Sequence, residues 1–238
     1  MIAHFIKLPD NLYPDGERHY KLRREVENKS ISLISAQRYL DYDTNPIFIL
    51  GIDAAANEMD AGPEVFAPSF RWLRTEWKNT FKRELRQTFH AGEDFVHILS
   101  GLRMMYEAIE FLDMQQGDRI GHGTAAGIAP ELWIERIGKS ICIRRGEWLD
   151  NLIIVYQLIN DLSSPYGNLR NKIPAIMNEI NRHTMSIYGK IFNFFTNQKA
   201  KRHRTLSCAG KEKGLPFGSP LCWHYLFSRP VTRQLSSA

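Results

Sequence analysis

Two short polar segments hold the side chains in this sequence best suited to chemistry: HAGED at residues 90–94 and RIGHGTA at residues 119–125. Each follows a brief β-prone run, so its polar groups fall where a strand would end. A neutral imidazole in such a position can bind a metal ion or take up a proton, and a carboxyl group can give or accept one. The ordinary reading of a single histidine near a strand end is a hydrogen-bonded structural group. His4, His19, His97, His183, His203 and His224 are read that way.

Positioning these groups takes alternating strands and helices. Residues 3–7 are β-prone and end near Pro9, and residues 20–39 are compatible with a helix. After Pro46, the apolar run at 47–52 predicts a parallel strand covered on both faces, with Asp53 at its carboxyl end. An Ala-, Gly- and Pro-rich loop over 54–68 and a helix over 70–86 follow. QTFHAGED then supplies a strand, and Leu102, Met105, Ile109 and Leu112 recur at helical spacing, with Gly117 closing that helix. DRIGHGTA supplies a further strand. Met104, Met105 and Phe111 read as core rather than as a cofactor surface.

From Pro130 the alternation lapses. SICIRRG has the composition of a strand, while residues 148–162 and 173–195 read as apolar-rich helices. The expected organisation is an α/β unit over 1–130, a helical region over 131–198 and an irregular basic tail over 199–238. The run KAKRHR in that tail reads as a solvated loop, with nucleic acid as a weakly supported partner.

Composition narrows the function classes. An apolar content of 43% over 238 residues suffices for one sizeable core. The net charge of +5 is spread among interspersed acidic and basic residues, which weakens any single-sign field. Three cysteines without a CxxC pair indicate neither a disulfide framework nor a cysteine zinc site. No apolar leader, membrane-length stretch or glycine-rich phosphate cradle is present in the sequence. The expectation is a soluble, cytoplasmic protein without a membrane partner.

HAGED and RIGHGTA, in this order and preceded by GIDAAANE at residues 51–58, resemble the adenosine deaminase family of the metal-dependent amidohydrolase superfamily. The family's corresponding segment is GIDLAGDE-like, and Ala56 and Asn57 stand here in place of its Gly and Asp. The resemblance implies a partial TIM-type (β/α) barrel, about strands three to six, followed by a helical insertion and the irregular tail. It implies that His90 is a zinc ligand, that Glu93 protonates the purine ring nitrogen, and that His122 orients and deprotonates the attacking water. Gly92, Asp53 and Glu58 would lie near the substrate. Such a zinc ion lowers the pKa of its water from about 15.7 to about 7. The segment RRGEWLDNLIIVYQLI looks like an insertion, similar to the large deaminase subunit of the RADAR antiphage system.

The family's complete site also has an HxH pair on its first strand and an aspartate on its last, and neither occurs here. The expectation is therefore an incomplete fragment of a Zn2+-dependent hydrolase that converts adenosine or a related purine nucleoside to inosine and ammonia. Taken alone, it would retain zinc weakly, turn over slowly and be prone to form a homo-oligomer. The alternative is a catalytically inactive assembly or nucleic-acid-interaction module.

Overall fold

The computed structural model describes residues 1–10, 18–41, 48–138, 140–161, 167–189 and 191. Four strands and six α-helices lie within them: β1 (Ile2–Ile6), α1 (Tyr20–Leu40), β2 (Gly51–Ala55), α2 (Pro63–Phe81), β3 (Arg86–Ala91), α3 (Ile98–Phe111), β4 (Arg119–His122), α4 (Pro130–Ile137), α5 (Arg145–Asp161) and α6 (Ile173–Tyr188). The strands form one parallel sheet in the order β1-β2-β3-β4. The expected basic tail, with His203 and His224, lies outside the described residues.

Side-chain alternation divides the sheet into two faces. Phe5, Ile52, Ala54, Phe89 and Ala91 point to one side and are buried there against Leu22, Val26 and Ile34 of α1, Phe66, Phe70 and Leu73 of α2, and Ala108 and Phe111 of α3. Edge-to-face contacts between Phe5 and Phe70 (4.9 Å) and between Phe66 and Phe89 (5.7 Å) join the sheet to α2. The other face is open along β1, where Ile2, His4 and Ile6 are exposed.

Several expected boundaries move for identifiable reasons. The apolar run at 47–52 was expected to be the second strand, but β2 begins at Gly51, where pairing with both β1 and β3 starts. Asp53 consequently sits in mid-strand rather than at the carboxyl end. Helix α2 begins at Pro63, inside the expected loop, because Pro at the first helical position has no N–H to leave unsatisfied. Pro68 within the helix cannot donate to the Glu64 carbonyl, and Arg23 of α1 donates to it instead at 2.8 Å.

The buried face of α3 is also offset from the expected stripe. Phe111 and Leu112 are buried and Met104 and Met105 pack on the core as expected, but Leu102 and Ile109 are exposed, and Gly101 and Ala108 are buried in their place. Gly101 permits this approach, since a Cβ there would lie 2.7 Å from both Ala125 and Phe95. Among the described residues SICIRRG forms no strand: residues 140–144 are irregular and α5 starts at Arg145.

Helix α5 docks onto α3 through a buried polar network. Arg103 Nε donates to Asn151 Oδ1 at 2.8 Å, Asn151 Nδ2 donates to Ser100 Oγ at 2.9 Å, and Arg103 pairs with Glu107 at 2.5 Å. Ile154 of α5 joins the sheet's core, while Leu149, Leu152 and Ile153 form a second cluster with Ile180 of α6.

Candidate functional site

Strand register assembles the first part of the site. His4 pairs with Asp53, and Asp53 pairs with Thr88, so all three share a face, and His90 lies two residues further along β3 on that same face. The buried Asp53 carboxylate therefore reaches both imidazoles: Oδ2 is 2.9 Å from His4 Nδ1 and Oδ1 is 3.0 Å from His90 Nδ1. The Ala54 carbonyl lies 3.3 Å from the same His90 nitrogen. A carboxylate and a carbonyl only accept, so His90 Nδ1 carries the proton and Nε2 keeps its lone pair.

The residue beside His90 has to be small. Gly121 is its partner in β4, and a Cβ at that position would lie 2.7 Å from His90 Cδ2. Strand alternation would turn His122 to the opposite face. The strand ends there instead, with His122 at φ 62 and Gly123 at φ 63. The two imidazole rings meet edge to face with centroids 5.0 Å apart. His122 Nδ1 is in contact with Glu93 Oε2, and both side chains are about half exposed. His90, Glu93 and His122 are thus brought together at the carboxyl ends of β3 and β4.

Glu58 holds the loop that carries Glu93. Its Oε2 accepts from the backbone N–H groups of Glu93 (2.9 Å) and Asp94 (3.3 Å), and its own N–H donates to Asp94 Oδ2 at 3.3 Å. Glu58 is only 2% exposed, and its Oε1 is buried without a hydrogen-bond partner. Gly92 turns the chain at φ 91 and packs on Met105, whose sulfur would be 2.7 Å from a Cβ there. Ala56, where the resembled family has Gly, adopts φ 90, a left-handed backbone that favours glycine.

Two participants escaped the sequence reading. By its local sequence His4 reads as an isolated structural histidine, and its tie to Asp53 arises only from the pairing of β1 with β2. Lys7, just past β1, is almost fully buried, donates to the His90 carbonyl and lies 4.2 Å from the centre of the Phe89 ring. Burial lowers its pKa to about 8, against the opposing pull of Glu58, Asp53 and Asp94. A lysine closing an apolar β run was the available signal. His97 serves structure: its Nδ1 accepts from the Leu99 N–H at 3.1 Å, and its ring meets Trp133 and Trp148.

The donors divide unevenly for metal binding. His90 is oriented as a metal-binding imidazole should be, with one nitrogen tied to a carboxylate. Among the described residues, however, no group of three donors includes His90, so these residues do not complete a zinc site around it. The group able to hold a metal ion is Glu58, Glu93 and His122, whose donor atoms lie within 4.8 Å of one another, and this set is not specific to zinc. No helix among the described residues is long and apolar enough to cross a membrane. Comparison of the chain with models of known protein families and with curated proteins returns no match.

Proposed function

We propose that this chain supplies the proton-handling part of a site for hydrolytic deamination of adenosine or a related purine, on a sheet that forms part of a (β/α) barrel. The observation that carries this reading is the Glu93–His122 pair beside His90 at the ends of adjacent parallel strands. In the reaction, water adds at the ring carbon, the neighbouring ring nitrogen takes a proton, and the amine leaves as ammonia. Glu93 delivers the proton and His122 orients the water and accepts from it, each acting at hydrogen-bond range.

In this reading the zinc ligands missing around His90 come from outside the described residues. The open sheet face supports that arrangement. All-parallel sheets are normally covered on both sides, and exposed Ile2 and Ile6 leave apolar surface for further structure to cover.

The test is to supply the full chain with excess Zn2+ and adenosine and to measure inosine and ammonia. Slow turnover is expected, and Glu93→Gln or His122→Ala should each reduce it by about a hundredfold or more. Turnover indifferent to both substitutions, or stoichiometric zinc with robust turnover from this chain alone, would refute the reading.

A further inference from the structure

We propose that Glu58, Glu93 and His122 form a divalent-cation site in this chain, separate from any ion held by His90. The inference goes beyond the deaminase reading, because it places the ion on two residues which that reading reserves for proton transfer.

Three observations converge on this site. The donor atoms already lie within 4.8 Å of one another. Ligand atoms of a tetrahedral zinc ion with bonds of about 2.1 Å lie about 3.4 Å apart, so closing the widest pair takes side-chain movements of up to about 1.4 Å, within reach of two half-exposed side chains. Second, Glu58 Oε1 is buried and has no hydrogen-bond partner, although its sister oxygen accepts two backbone N–H bonds. A buried carboxylate oxygen without a donor carries a desolvation cost that a cation would remove.

The third observation is charge. Glu58, Asp53 and Asp94 all act on the buried Lys7 ammonium, and Glu93 adds a further carboxylate beside Glu58. Acidic groups therefore outnumber basic ones at this end of the sheet, and a 2+ ion restores the balance. Two carboxylate oxygens and one imidazole nitrogen suit a first-row ion such as Mn2+ or Zn2+ and leave coordination positions for water.

Calorimetric titration of the full 238-residue chain with Zn2+ alone tests the site, with Glu93→Gln, His122→Ala and His90→Ala as variants. Glu93 and His122 are half exposed, so their variants should fold, and circular dichroism verifies this. One ion per chain is expected, with affinity at least about tenfold weaker in E93Q and H122A and unchanged in H90A. Loss confined to H90A assigns the ion to His90 and overturns the proposal while sparing the deaminase reading. Absence of binding by the unaltered chain, or equal loss in all three variants, also overturns it.

Discussion

Asp53 holds His90 by its Nδ1 nitrogen at 3.0 Å, and this shorter of two contacts, with the Ala54 carbonyl at 3.3 Å, decides which imidazole nitrogen is left to act. The same carboxylate holds His4 through its other oxygen. Hydrogen bonds to a charged group contribute about 1.5–3 kcal/mol each. Asp53→Ala should therefore lower stability by about 2 kcal/mol or more in chemical denaturation. Side-chain 15N spectra should show the His90 ring passing from the Nδ1-protonated form to a mixture of tautomers. An unchanged tautomer would show that the carboxylate does not control it.

Ala56 stores backbone strain next to the site. A left-handed conformation costs a non-glycine residue about 1–2 kcal/mol, part of which glycine gives back through its more flexible unfolded chain. Ala56→Gly should stabilise the protein by about 0.5–1 kcal/mol and raise Tm by roughly 1–4 °C. A lower Tm would mean that Ala56 is not strained.

Gly121→Ala should displace the His90 ring, because the new methyl group would lie 2.7 Å from Cδ2. We expect a loss of about 1–3 kcal/mol together with the same change in the His90 tautomer as in Asp53→Ala. Loss of stability with the tautomer intact would locate the clash elsewhere.

The α3–α5 junction should be sensitive to pH. Burial pushes Glu107 up to about 8 and Asp150 up to about 7, against the pull of Arg103, since two carboxyl groups share one guanidinium. A carboxyl raised in the folded state binds more protons there than in the unfolded chain. Its contribution is complete below the ordinary value of 4.5 and is lost as pH rises through about 8. Glutamine mimics the protonated form. Glu107→Gln should therefore gain stability relative to the parent as pH rises from 5 to about 9, measured by denaturation at each pH. A difference that does not vary with pH would show that Glu107 is ionised throughout.

Local pattern made the alternation of strands and helices legible up to β4, because apolar runs and turn residues are properties of neighbouring positions. Residues 90, 93 and 122 were legible as a set only through their resemblance to a family. Contacts set by strand register were not legible. Nothing in the local sequence around His4 or Lys7 indicates that β1 will lie beside β2 and bring those groups to Asp53 and the His90 carbonyl. The shift of β2 to Gly51–Ala55 has the same origin, since hydropathy marks an apolar run while hydrogen-bonded neighbours decide where a strand begins. Beyond Pro130, α5 is helical all along, and its attachment to α3 depends on Arg103 and Asn151, two polar residues that hydropathy alone assigns to solvent.

His90 and His122 must share one site for deamination at these strand ends, and their ring separation tests this most directly. With centroids 5.0 Å apart, the folded chain should give a nuclear Overhauser cross-peak between the ring protons of His90 and His122, assigned by its loss in His90→Ala and in His122→Ala. Absence of that cross-peak in a chain whose other spectra show it to be folded would contradict the shared site, and with it the deaminase reading.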